Sequence, residues 1–341
     1  MGNKHIRGEV SVKMKDVTAF KTASQVIADE MQEKGTMSYE RAAEILNMYE
    51  NAFTVVKRHF PLAQCGTDIL LKADLLLMEH GCTGDNTLYA QSICPDEINH
   101  ESGDITELFS KHMGEVFHMG GLGGIPFTGK TGFAAFSHHV PDDGNLFILF
   151  APHIGISDSG ELGKYTRKGQ NRDGTACGAA CGALKFCEEC KIEADNNLRM
   201  PGSPKTKSIK KPGEVYGDYQ MEFITSQVNE RLGDIISAPD EDSKQAALAY
   251  AMFEVAKEFM NRNIHFDATF AERGKPNLYL LGGIQINMPK PMPDFFMPLM
   301  FEERNANGTV TDLMESTFGT VLRSRVGTPV PPEMTETDSS V

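Results

Sequence analysis

The chain has 341 residues, 40% of them hydrophobic and 23% charged, which excludes wholesale disorder and is long enough to bury a core without disulfide staples. With 33 Lys and Arg against 47 Asp and Glu, the formal net charge is −14, which argues against nucleic acid or an anionic membrane as partner and points to a small substrate. No window approaches ~18 uninterrupted apolar residues and Met1 to Arg7 opens no signal-peptide run, so we expect a soluble chain without a membrane span, whose seven cysteines stay reduced or bind metal.

The first 60 residues read as helical: Ser38 caps a helix whose apolar face runs Ala42, Ile45, Leu46, Tyr49 and Phe53. A further helix covers Ile69 to His80 and stops at Gly81. Thr87 to Cys94 is rich in strand formers and ends at Pro95, which predicts a strand. Asp104 to Phe117 reads as a helix with Asp104 near its positive end. From Gly120 to Gly132 the chain is Gly-rich and reads as a kinked strand or hairpin. Leu146 to Ala151 is continuously apolar, as in a strand covered on both faces at the centre of a parallel sheet, and it runs into Pro152-His153.

Residues 158–175 read as a long polar loop, and Cys177 to Cys187 as a helix of small residues. Lys205 to Lys211 is an exposed basic loop. Helices are expected near Tyr219–Leu232 and Ser243–Asn263, strands at Leu278–Ile286 and Phe295–Phe301, and a disordered tail over 327–341. Alternating strands and helices predict an α/β layer fold.

Three constellations compete for the chemistry. Gly124 to Thr131 matches the phosphate-loop pattern G-x-x-x-x-G-K-[ST], with Lys130 as the phosphate lysine, but the run before it is too Gly-rich for a buried strand. Cys177, Cys181, Cys187 and Cys190 suggest a four-thiolate site. On one helix, at roughly 100° per residue, Cys187 and Cys190 fall on the side opposite Cys177 and Cys181, so the four converge only if the helix breaks. The third set takes one residue from each of three element ends: Cys94 and His153 after strands, and Cys177 at the start of a helix, where a thiol's pKa is lowered. Two Cys and one His leave a tetrahedral zinc with one open position, the pattern of a catalytic site.

The order Cys94-Pro95-Asp96, then a strand ending in His153, then Cys177-Gly178-Ala179 resembles the β-type carbonic anhydrases. The 23 residues between His153 and Cys177, together with the segments Cys94 to Asn99 and Gly132 to Asp142, look like the limiting-CO2-inducible B/C family, some of whose members are called theta-type carbonic anhydrases. The resemblance implies a β-carbonic-anhydrase-like fold: a central, mostly parallel sheet flanked by helices, with a helical N-terminal extension over 1–60 packing on the core and a zinc-binding catalytic domain over 61–326. It implies Zn2+ on Cys94, His153 and Cys177, and a carbonate dehydratase, a lyase that hydrates CO2 to bicarbonate by attack of a zinc-bound hydroxide in a CO2-concentrating role. It implies a homodimer, or a higher oligomer with a paralogue, in the cytoplasm or plastid stroma. The alternatives are a non-catalytic zinc scaffold or bicarbonate-binding protein and, behind both, a nucleotide binder.

In that family Asp96 matches the residue that accepts a hydrogen bond from the zinc water or swings in to cap the metal. Its usual partner, an Arg two residues on, is replaced by Ile98, and no Arg occurs between Arg58 and Arg167. Lys130, Arg167 or Arg172 would have to supply the cation from elsewhere. His138 and His139 are candidate proton shuttles. Phe133, Phe136, Phe147 and Phe150 are either an apolar approach for the gas or ordinary core.

Overall fold

The computed structural model describes residues 17–101, 103–199, 218–265 and 276–319. Its elements in order are α1 (Val17–Lys34), α2 (Tyr39–His59), β1 (Gln64–Cys65), α3 (Gly66–Glu79), β2 (Thr87–Ile93), α4 (Ile105–Met113), β3 (Val116–His118), α5 (Gly129–His138), β4 (Asn145–Ala151) and β5 (His153–Gly155). There follow β6 (Lys164–Tyr165), β7 (Gly174–Thr175), α6 (Gly178–Arg199), α7 (Tyr219–Glu230), α8 (Leu232–Ile236), α9 (Glu241–Asn263), β8 (Leu278–Asn287), β9 (Phe295–Arg304), β10 (Val310–Asp312) and α10 (Met314–Phe318).

The apolar run of β4 sits mid-sheet, parallel to β2 on one side and to β8 on the other, with Thr87 opposite Asn145 and Leu146 opposite Leu278. Its side chains alternate between two cores. Leu146, Ile148 and Phe150 join a core shared with α2, α5, α6, α7 and α9, while Phe147, Leu149 and Ala151 join one shared with α3 and α4. Both faces are therefore covered, which is why no polar residue interrupts the strand. The sheet order is β1-β9-β8-β4-β2-β3. β3 lies parallel to β2, β5 continues parallel to β8 beyond β4, and β9 runs antiparallel to β8, with β1 and β10 antiparallel to β9. The fold is thus α/β, with a parallel centre and an antiparallel margin.

On α2, Ser38 Oγ accepts from the Arg41 N–H at 3.1 Å, and Ile45, Tyr49, Ala52, Phe53 and Val56 bury into the same core as the sheet. Phe150 is fully buried and stacks on Phe253 with ring centroids 5.9 Å apart. We expect Phe150→Ala to lower unfolding free energy by about 3–5 kcal/mol in a urea titration, the range for emptying a buried aromatic site.

Three expectations from the sequence are corrected. The helix over 104–117 ends at Met113, because Gly114 turns the chain with φ +91°, and Val116–His118 instead adds an edge strand to β2. The Gly-rich stretch is neither strand nor hairpin: a tight turn over 122–124 leads to α5. The turn crosses directly over the strand ends, where Gly124 has φ +71° and any Cβ would overlap the Ala151 carbonyl. Residues 158–175 are not irregular throughout, since β6 and β7 pair as a short antiparallel ribbon. The basic loop over 205–211 and the tail over 327–341 lie outside the described residues.

Candidate metal centre

Cys94 follows directly on β2, and His153 opens β5 just beyond β4 and Pro152. Both strands run parallel and stop at the same edge, so the two residues meet where their carboxyl ends open a crevice. Cys177 arrives from the other direction. The Gly155 N–H donates to Ala176 O and the Ala176 N–H to Gly163 O, which holds the residue before Cys177 against β5 as α6 begins.

The ligand atoms of Cys94, His153 and Cys177 all lie within 4.8 Å of one another, and all three residues are buried. The two Sγ atoms are 4.0 Å apart. Zinc–sulfur bonds of about 2.3 Å in a tetrahedron place two sulfurs roughly 3.8 Å apart, so this spacing suits a shared ion. His153 Nδ1 contacts Asn287 Oδ1 at 2.8 Å, while its Nε2 is buried without a hydrogen-bond partner. A buried, orphaned imidazole nitrogen facing two thiols is the donor set a zinc ion completes, so the residues present fit the metal.

Electrostatics at the start of α6 point the same way. The Cys177 thiol is held below the usual thiol range by a hydrogen bond from Cys94, and then, against the effect of burial, by the N–H groups of Ala180 and Ala179. Cys94, the donor of that pair, is pushed up correspondingly, with burial adding to the effect.

Beside the three candidate ligands stands Asp96, with Oδ2 3.8 Å from His153 Nε2. Arg167 holds it: Nη2 lies 3.1 and 3.0 Å from the two carboxylate oxygens, and Nε reaches Glu97 Oε1 at 2.9 Å. Arg167 also donates through Nη1 to Thr175 O and lies over the Tyr165 ring. Partial burial works against its charge, but Asp96 and Glu97 together raise its pKa. The cation absent at Ile98 is thus replaced in space by Arg167 from the loop joining β6 to β7, 71 positions from Asp96.

The other sequence candidates lie elsewhere. Lys130 and Arg172 are exposed, and among the described residues neither forms an ion pair with Asp96. α5 runs back along the sheet to the start of β4, which carries His138 and His139 to the far end of the strands, and His139 packs against the Phe117 ring. In the phosphate-loop pattern, the N–H groups of Gly124, Ile125, Phe127, Thr128 and Gly129 all donate to carbonyls of the chain, and the strand before the run is only the three-residue edge strand β3, so the buried strand of a phosphate loop is missing. Cys181 meets Gln245 Oε1 and Cys187 meets Thr225 O, so the four helix cysteines do not converge. Phe133, Phe136, Phe147 and Phe150 are core. A small cavity of ≈ 10 Å³ beside His153 and Cys177 is lined instead by Ala180, Leu248, Ala249 and Met252, among others.

Sequence reasoning missed three polar residues around the centre. Asn99 Nδ2 donates to Cys94 O at 3.2 Å, and a His100 ring nitrogen lies 3.2 Å from the same oxygen. Asn287 ends β8, where it and Gln285 are the polar positions in an otherwise apolar and Gly run, both fully buried. That period-2 pair of buried amides was the available signal.

A sequence model of the limiting CO2-inducible proteins B/C, β-carbonic anhydrases, matches residues 63–305. The chain belongs to this family. The match begins after α2 and takes in all three candidate ligands, Asp96 and Arg167. Among solved structures, the chain is similar to PtLCIB4, described as a homolog of the limiting CO2-inducible protein LCIB, at 26% identity and a TM-score of 0.62, over 76% of this chain and 98% of that one. It is also similar to limiting CO2-inducible protein LCIB, at 20% identity and a TM-score of 0.48, over 74% of this chain and 95% of that one. No curated protein matches the chain. Among the described residues, no helix is long and apolar enough to cross a membrane.

Proposed function

We propose that this member of the limiting-CO2-inducible B/C family is a zinc-dependent carbonic anhydrase that interconverts CO2 and bicarbonate. The observation that carries the reading is the Arg167–Asp96 pair set against the Cys94, His153 and Cys177 cluster, because it gives Asp96 the cation that the local sequence lacks. When bound, zinc supplies the Lewis acidity that activates a water at neutral pH, for which carbonic anhydrase is the standard example.

The chain's own residues do the rest. Asp96, held at both oxygens, can accept a hydrogen bond from the reacting water and orient it. Arg167 fixes Asp96 in place and sets a positive charge beside the product anion, against the global −14. Ala180, Leu248, Ala249 and Met252 close the inner side with apolar surface. Neutral CO2 needs no polar recognition there. His100, an exposed residue with one ring nitrogen 3.2 Å from Cys94 O, is the proton carrier of this reading in place of His138, which lies at the far end of the strands. The reading includes a soluble homodimer acting in CO2 concentration.

A stopped-flow CO2 hydration assay on protein of measured metal content tests the reading. We expect one zinc per chain and hydration well above buffer. Stoichiometric zinc with hydration no faster than buffer would overturn it in favour of a non-catalytic zinc scaffold.

A further inference from the structure

His153 can offer the metal only one ring nitrogen, and the other is already engaged. A neutral imidazole carries a single proton, so Nε2 can act as a ligand only if that proton sits on Nδ1 and an acceptor faces it. The group facing Nδ1 is the amide of Asn287, at 2.8 Å. An amide offers an acceptor at one end and a donor at the other, and its other neighbours decide which end faces the ring.

Those neighbours leave no choice. The Nδ2 end of Asn287 meets three acceptors: Asp294 Oδ2 at 2.8 Å, Ile98 O at 3.1 Å and Asn99 Oδ1 at 3.1 Å. Turning the amide over would aim its oxygen at all three and its NH2 at the ring. Asp294 is the strongest of the three because it is a carboxylate, only 1% exposed on its side chain. Its hydrogen-bond partners are donors, and it shares the Lys290 ammonium with Asp104. The Met288 N–H reaches Oδ1 at 2.9 Å, Gln285 Nε2 reaches Oδ2 at 3.4 Å, and the Lys290 ammonium lies 3.6 Å from Oδ1.

We propose that Asn287, held in one orientation by the buried Asp294, is a positioning residue that keeps His153 in its Nδ1–H tautomer and so makes Nε2 a metal ligand. The inference rests on the metal reading above and extends it by one shell. It has a consequence that simple burial lacks. Asp294 does not touch His153, yet Asp294→Asn sets an NH2 against either the Met288 N–H or the Asn287 NH2. Turning Asn287 over relieves the second clash, and that aims a donor at Nδ1 and moves the ring proton to Nε2.

The test compares zinc-loaded wild-type protein with Asn287→Leu, Asp294→Asn and the exchanged pair N287D/D294N. In the exchanged pair a carboxylate faces the ring and an amide donates to it from position 294. Two readouts are taken: competition for zinc by a chromogenic chelator, and the ¹⁵N shifts of the His153 ring, assigned with His153→Ala. We expect Asn287→Leu and Asp294→Asn to bind zinc about 10–100-fold more weakly, the usual cost of losing a metal ligand's hydrogen-bond partner, and to lose the Nδ1–H signature. The exchanged pair regains the Nδ1–H signature and part of the affinity, since its second carboxylate oxygen still faces Ile98 O and Asn99 Oδ1. Wild-type affinity and an unchanged tautomer in the single variants overturn the inference while leaving the metal reading intact. If Asn287→Leu does not fold, Asp294→Asn decides alone, and an exchanged pair that keeps the altered tautomer of Asp294→Asn overturns the inference. Wild-type protein that takes up no zinc overturns the metal reading and this inference together.

Discussion

Replacing His153 with alanine is expected to remove zinc and CO2 hydration together. His153 supplies the sole nitrogen of the cluster, from a fully buried ring whose Nε2 has no hydrogen-bond partner and lies 3.8 Å from Asp96. Without it, two thiols 4.0 Å apart remain, a poor site for an ion that takes four ligands. Structural zinc sites bind with roughly 10–16 kcal/mol, so losing one of three protein ligands removes on the order of 3–5 kcal/mol. At about 1.4 kcal/mol per decade, that is roughly 10²–10⁴ in affinity. Metal analysis after dialysis and stopped-flow hydration on the same sample check the result. Cys94→Ser should behave alike, since a hydroxyl is a far weaker zinc ligand than a thiolate. Full zinc content with undiminished hydration in His153→Ala would place the chemistry elsewhere.

Arg167→Met is expected to separate the two properties: zinc stays and hydration falls. Arg167 donates its hydrogen bonds to both oxygens of Asp96, to one of Glu97 and to Thr175 O, and to none of the three candidate ligands. Removing it leaves two carboxylates side by side without a cation, and frees Asp96 to turn toward the metal from its present 3.8 Å distance to His153 Nε2. The preorganised acceptor is lost, and losses of that kind cost on the order of 10²–10³ in kcat. The comparison variant is Glu97→Gln, which breaks only the exposed half of the fork and should leave hydration near wild type, because Asp96 keeps its partner. Hydration in Arg167→Met equal to wild type at equal zinc content would remove Asp96 and Arg167 from the reaction.

Much of the fold was legible because periodicity reports burial directly. β4 had to be central since no residue from Leu146 to Ala151 tolerates water, and α2 was bounded by its Ser38 cap. The errors fall where a short element is decided by its neighbours. Val116–His118 is too brief to outweigh the helical run before it, and becomes a strand because β2 offers an unpaired edge. The Gly-rich stretch resembled a phosphate loop because both need glycine for close backbone approach. Here the approach is to Ala151 and the ends of the strands.

The amino-acid sequence by itself determined which residues are able to bind a metal, since thiol and imidazole chemistry belongs to the side chains, and the C-x-D, strand–His and Cys-Gly order pointed to Cys94, His153 and Cys177 through its resemblance to the β-type carbonic anhydrases. Only the tertiary structure decided how those residues are held. Arg167 reaches Asp96 from 71 residues away, and Asn287 reaches His153 from 134. Hydrogen bonds act over about 3 Å in space and are indifferent to separation along the chain, so partners brought together by a ribbon and by a neighbouring strand leave no local pattern to read.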